Sequence, residues 1–384
     1  MDRKTPLGLS LFARRCRDEG VLYWYACQYQ IRTQALLDRK STGNHAWWYN
    51  ATVPWGGSQT NLQWCQTTIS DTGRACDCVG LALAYAWWAL DDDPITWHYQ
   101  ANGASDYSAN QSFNAASVKG DISTIPEVVG LGLWQEGHVG IYLGGGMTIE
   151  SSYGTDYLTG QKVRGVFMGK LGKGTKWSNW FQWAWLDYPN DKSWIVKNEP
   201  LTDSEMKSNA FVFASYMLGH GWTLESICGM LGNIQSESRV NPGAWQNYVN
   251  PFPNPADSVG YGLTQWTPYT KYTDWAGADY ASGNKQCDRI IHERDNGLQF
   301  YSTQAFPMTF AEFSQSTREP GYLAQAFLYN YERPALPDAR TRAAQARAWY
   351  DYFNKYPAPF TPTYNIPIWL LAYKGGGKHA AYRL

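Results

Sequence analysis

The sequence predicts an α+β protein: a helix packed on an antiparallel sheet in its first half, then a mainly helical second half. Three observations carry that expectation. After Cys78 the apolar residues Val79, Leu83, Ala86 and Leu90 recur at helical spacing. From His138 the run Val139-Gly140-Ile141-Tyr142-Leu143 reads as a strand that turns through Gly144-Gly145-Gly146. From Thr202 to about Tyr356 helical patterning dominates, until Pro357, Pro359 and Pro362 break it. A chain of 384 residues has room for two or three domains, each with its own core.

In chain order, the first unit is expected over residues 1–188, a polar linker over 189–203, a second unit over 204–356 and a tail over 357–384. Met1-Asp2-Arg3-Lys4-Thr5-Pro6 leads into no apolar core of about 7–15 residues, so no secretory signal is expected. Asp77 is a good N-cap for the helix that follows it. Cys78 then sits in the first turn, where unpaired N–H groups and the helix dipole favour a thiolate. A thiolate is the nucleophile, and a histidine on a neighbouring strand can shuttle the proton. A free cysteine is more often a small buried packing residue, so the local motif has to decide between the two readings.

The histidine strand permits a register test. With a three-residue loop at 144–146, Leu143 pairs with Met147 and Gly140 with Glu150. Glu150 then shares the His138 face, diagonal to it and within reach of a long side chain. A two-residue loop would send Glu150 to the opposite face. The acidic run Asp91-Asp92-Asp93 before Pro94 reads as a solvated loop rather than a cation site.

The linker carries no long apolar run, so few contacts are expected to cross it. Beyond it, Thr223 caps a helix with Ile227, Met230, Leu231 and Ile234 on one face. Glu237 falls at the C-terminal end of that helix. There the dipole and desolvation raise a carboxyl's proton affinity, as a general acid requires. Asp257, just ahead of Gly260-Tyr261-Gly262, is the nearest second carboxylate. The tail, with Ile368, Trp369 and Leu370 followed by a glycine-lysine end, reads as a peripheral arm.

Composition excludes several classes. With 32 basic and 33 acidic residues the net charge is −1, and no Lys/Arg block suggests nucleic-acid binding. The apolar run from Ile366 to Tyr373 is too short to span a membrane. Seven cysteines, with no Cys-x-x-Cys spacing, imply no zinc site and leave at least one thiol unpaired within the chain. No metal or organic cofactor is expected. The 20 Trp, 27 Tyr and 14 Phe fit stacking on sugar rings as well as core packing.

Two resemblances sharpen these readings. Asp77-Cys78-Val79-Gly80 resembles the nucleophile box of NlpC/P60 cysteine peptidases, and the run from Gly137 to Gly146 their histidine strand and hairpin. Leu22-Tyr23-Trp24-Tyr25-Ala26 is similar to the aromatic box near the start of that domain. The resemblance implies a papain-like fold with Cys78 as nucleophile and His138 as base. It puts Glu150 where that family carries the polar residue orienting the histidine, with Tyr23 and Asp77 on the substrate side. In the second half three segments resemble, as a set, the phage tail lysozyme family over roughly residues 204 to 355. They are Gly232-Asn233-Ile234-Gln235-Ser236-Glu237-Ser238, Gly260-Tyr261-Gly262-Leu263-Thr264-Gln265-Trp266 and Tyr329-Asn330-Tyr331-Glu332-Arg333-Pro334. This resemblance makes Glu237 the acid and places Tyr261, Gln265 and Trp266 along the sugar cleft. The pairing looks like the virion-associated lysins of bacteriophages. It implies a peptidoglycan hydrolase among tail proteins at a tail tip, opening the host wall for DNA entry. A lysis-stage endolysin and a structural tail-tip protein with inactive lysin folds are the alternatives.

Overall fold

A computed structural model describes residues 5–53, 58–89, 96–188, 193–254, 257–335 and 337–354. The Asp91–Asp93 run, the first part of the linker and the tail with Ile368, Trp369 and Leu370 lie outside the described residues.

The chain is α+β, as its patterning predicts. Helix α1 (Pro6–Asp18) starts where the Thr5 hydroxyl accepts from the Gly8 N–H, and α2 spans Cys78–Trp87. Six antiparallel strands follow: β1 (Lys119–Asp121), β2 (Gly132–Gln135), β3 (His138–Gly144), β4 (Met147–Thr155), β5 (Lys162–Lys170) and β6 (Asn179–Phe181). They lie in the order β1-β6-β2-β3-β4-β5. Leu9 and Phe12 of α1 and Leu81 and Tyr85 of α2 share a core with Val139, Ile141, Ile149 and Val166 of the sheet. Burying both helices on one face of the sheet takes that apolar area out of water, the main favourable term in folding.

The β3–β4 hairpin differs from expectation in a way that leaves its consequence intact. Ile141 pairs with Ile149 and Tyr142 with Thr148, but Met147 pairs with Gly144, not Leu143. The loop is therefore two residues, Gly145-Gly146, both at positive φ, and Leu143 is the extra residue of a bulge. The bulge restores the register that the shorter loop would have shifted. Glu150 stays on the His138 face.

In the second half, α3 (Asp203–Gly219) begins with a reciprocal Thr202/Glu205 cap, and α4 (Leu224–Ser238) begins at the predicted Thr223 cap. Then come α5 (Gly283–Asp295), α6 (Pro320–Phe327) running into a π-helical turn over Leu328–Glu332, and α7 (Ala339–Asn354). Helix α4 is central, and α6 and α7 pack closely on it. A Cβ on Gly232 would lie 2.4 Å from the Arg342 carbonyl oxygen, so only glycine permits this approach.

Two expectations about the linker need correction. Residues 193–201 do not bridge open solvent: Trp194 and Leu201 are buried in the second core, and Trp194 Nε1 donates to Asn284 Oδ1 at 2.9 Å. Single apolar residues in a polar stretch have no periodicity to announce them. Nor are the halves separate. Leu7 and Leu11 of α1, with Val129, belong to the second core, while the Gly145 N–H donates to the Gly219 carbonyl at 2.8 Å. Helix α1 is buried on both sides, facing the sheet with one and the helices of the second half with the other.

Candidate active sites

Cys78 opens α2 and lines a cleft of about 550 Å³ together with Tyr25, Lys40, His45, Asp77 and Asp106. Asp77 caps the helix through Oδ1, which accepts from Gly80 N at 2.6 Å, while Oδ2 accepts from Ala26 N of the aromatic box at 2.9 Å. With both oxygens committed to backbone amides, Asp77 braces the nucleophile turn against the aromatic box rather than reaching for a substrate. Burial pushes Asp77 up to about 6. Burial, then the Asp77 charge, also push the Cys78 thiol up to about 12, against the opposing pull of the Val139 and Val79 N–H groups. Desolvation thus opposes the thiolate that the start of the helix favours. Cys76, two residues earlier, is fully buried in a short strand, Arg74–Cys76. Of the two thiols, only Cys78 lines the cleft.

His138 Nε2 meets Glu150 Oε2 at 2.6 Å, the diagonal contact that the strand register anticipated. The same oxygen accepts from Lys176 Nζ at 2.5 Å. Burial alone would raise Glu150, but the bonds from His138 and Lys176 more than offset it, and its carboxyl lies below the usual range. The imidazole stacks on Trp177, with ring centroids 5.4 Å apart and planes 10° from parallel. Trp177 fills the space over Gly140, where a Cβ would come within 2.8 Å of the indole. Glu150 and Trp177 thus hold the ring through Nε2 and through its face. Among the described residues no hydrogen bond joins Cys78 and His138. Tyr23 is buried against Trp48 and Tyr153, and burial followed by the nearby Cys78 raises its phenol well above the ordinary value. Its neighbour Tyr25, not Tyr23, faces the cleft.

The second cleft, about 540 Å³, is lined by Glu237, Gln265, Trp266, Tyr248 and Glu332, among others. Glu237 sits in the last turn of α4, which closes on Arg239 in the left-handed conformation. Arg342 Nη2 of α7 donates to Glu237 Oε1 at 2.6 Å, while Nη1 donates to Asn233 Oδ1 at 3.1 Å. Gln265 reaches the cleft, but its amide donates to the Ala244 and Gly262 carbonyls. Trp266 forms cleft wall, stacked on Tyr272 and bonded through Nε1 to Glu293. Tyr261 does not reach the cleft: it is buried behind it against Trp245 and Tyr272. Asp257 is exposed and is not among the described residues lining the cleft, so it is not a second carboxylate there.

The carboxylate that sequence reasoning missed is Glu332, at the end of the π-helical turn after α6. Its Oε1 is buried and meets no donor among the described residues. Burial, then the charge of Glu237, hold its pKa well above the usual carboxylate range, with Arg342 opposing. Glu293 lies nearby but is fully engaged, accepting from Trp266, Arg289 and Tyr331 at 3.2, 2.8 and 2.5 Å. The signal for Glu332 was present in the Tyr329–Pro334 motif. Nothing local distinguished it from a surface glutamate, since its partners come from α4 and α7.

Comparison with known proteins bears on the second half. Residues 208–353 match the family model of phage tail lysozyme, a stretch that contains Glu237, Glu332 and Arg342. The chain is also 45% identical over 157 residues to Morphogenesis protein 1 of Bacillus phage B103. That alignment covers 40% of this chain and 41% of the relative, so the chain spans less than half the length of the relative it matches.

Proposed function

We propose that this is a peptidoglycan hydrolase of a bacteriophage particle, with a glycan-cleaving site in the second half and a cysteine peptidase site in the first. The observation that carries the reading is the cleft in the lysozyme-matched stretch, with Glu237 and a second carboxyl facing one open groove. Glycoside cleavage needs a carboxyl group to protonate the departing oxygen and a second to stabilise the other side of the reaction. No helix among the described residues is long and apolar enough to cross a membrane.

In the first half, support comes from geometry and from the motif likeness to NlpC/P60 peptidases. Cys78 Sγ attacks a stem-peptide carbonyl while His138 Nδ1 takes the thiol proton and returns it to the leaving amine. Glu150, bonded to Nε2, orients the ring and stabilises the imidazolium as it forms. With burial raising the thiol, this reading has proton removal accompany attack rather than precede it. The particle assignment rests on the phage relative and the lysozyme match.

The test is release of reducing ends from isolated sacculi. The wild-type chain releases them and Glu237→Gln does not; equal release by both would overturn the glycan reading. Mass spectrometry of purified particles tests the location. Absence from particles that carry their full set of tail proteins favours the lysis-stage endolysin, and presence without any wall cleavage favours a structural tail protein.

A further inference from the structure

We propose that Glu332 is the second carboxyl of the glycan cleft and that Glu237 and Glu332 hold one proton between them, the proton delivered to the glycosidic oxygen. The inference rests on the glycan-cleaving reading above and divides its chemistry between two residues. Four observations converge on it. Both side chains line the same cleft although they come from α4 and from the turn after α6. Glu332 Oε1 is shielded from solvent yet has no donor among the described residues, an arrangement that an ionised carboxylate would make costly and a protonated one relieves. Glu332 is carried on a π-helical turn, an irregularity that recurs at functional sites. Burial and the adjacent Glu237 charge both favour the proton on Glu332.

The charged groups around Glu332 are few. Glu237 faces it from α4, Arg342 from α7, Glu293 from α5 and Arg333 from its own segment. Arg342 is bonded to Glu237, and Glu293 is saturated by Trp266, Arg289 and Tyr331. Arg333 Nη1 donates to the Gln299 and Asn330 carbonyls, which leaves Arg342 as the cation bonded to the pair among the described residues. Glu237 and Glu332 line one cleft and Glu332 Oε1 has no donor among the described residues, so in this proposal the pair carries one proton.

The step balances without a further reactant. As the C1–O bond breaks, its electron pair leaves with the oxygen, which takes the pair's proton and becomes the free hydroxyl of the departing sugar. The pair, now doubly anionic beside Arg342, faces the positive charge developing at C1. Water then adds to C1, and its second proton restores the singly protonated pair.

The test is the pH profile of glycan cleavage on isolated sacculi for wild type, Glu332→Gln and Glu332→Asp, with melting temperature as the check on folding. Glu332→Gln leaves Glu237 with Arg342 and no carboxyl neighbour, so the proton is held less tightly. The alkaline limb of kcat/KM should move down by about one pH unit or more, with a loss on the order of 10-fold at neutral pH that recovers in acid. Glu332→Asp should lie nearer wild type. An aryl chitooligosaccharide with a good leaving group needs little protonation, so Glu332→Gln should cleave it almost as well as wild type does. A uniform loss at every pH, or an unchanged profile, would overturn the proposal. Loss of sacculus cleavage at all pH values with the aryl substrate spared would also overturn it, by giving the proton to Glu332 alone. If the wild-type chain releases no reducing ends, it is the glycan reading itself that fails.

Discussion

Each half holds a shielded glutamate, and the two carboxyls are shifted in opposite directions. Glu150 accepts from His138 and Lys176, and those bonds hold it ionised despite burial. Glu332 Oε1 is shielded too, but it has no donor among the described residues, and burial and the Glu237 charge raise the carboxyl. Partners, not depth, decide the charge. The same contrast appears at the helix ends. Cys78 opens α2 and Glu237 ends α4, where a dipole argument anticipates a thiolate and an acid. Instead, desolvation raises the thiol, and burial with the Glu237 charge raises Glu332.

The largest effect expected from breaking this comparison is at the nucleophile. Cys78→Ser and His138→Ala should take peptide release from sacculi below detection, while Cys76→Ser keeps most of it, because Cys76 is walled off from the cleft. Equal losses in two folded cysteine variants would mean that Cys76 shapes the site. Glu150→Gln should lose less, since an amide still accepts from the imidazole but stabilises its cation poorly. Wild-type rates in Glu150→Gln across pH would remove Glu150 from the site.

The next effect concerns the shared core. Leu11→Ala should cost about 2–5 kcal/mol and destabilise the lysozyme-like half although Leu11 precedes it by nearly two hundred residues. Thermal unfolding followed by tryptophan fluorescence measures this; a stability change confined to the first half would restore the picture of independent units.

The smallest effects are opposite pH dependences of stability. Glu150 is depressed in the folded state, so its contribution is present above the unfolded value near 4.3 and fades as pH falls through the folded value. Glu150→Gln should therefore melt below wild type at pH 7 and converge with it in acid. Glu332 is raised, so its contribution is full below about 4.3 and is lost as pH rises towards the folded value. Glu332→Gln should match or exceed the wild-type melting temperature at pH 8 and lose that advantage near pH 4. Shifts of a few degrees are expected, at roughly 2–4 °C per kcal/mol. Shifts of the same sign would contradict the assignment of charge to the two glutamates.

Much of the first site was legible because its chemistry is local. Cap, helix and nucleophile are consecutive residues, and a strand's period of two places Glu150 on the His138 face once a register is chosen. The bulge at Leu143 was not legible, since it depends on how Gly144 to Gly146 meet α3: Gly145 bonds to Gly219. Trp177 and Lys176 were missed because they arrive from a distant loop. In the second site Glu237 was readable from its helix end. Glu332 and Arg342 are joined to it only by tertiary packing, and Asp257, closer to the motif in sequence, lies outside the cleft. The polar stretch after Asp191 concealed Trp194 and Leu201, two anchors that no window average reveals.

The most direct test of a two-headed hydrolase is mass spectrometry of the soluble fragments released from purified peptidoglycan by wild type, Cys78→Ser, Glu237→Gln and the double variant. Cys78→Ser should yield only glycan cuts with intact stems, Glu237→Gln only peptide cuts with intact strands, and the double variant neither. Peptide cuts that persist in Cys78→Ser, or both product classes vanishing together in either folded single variant, would contradict it.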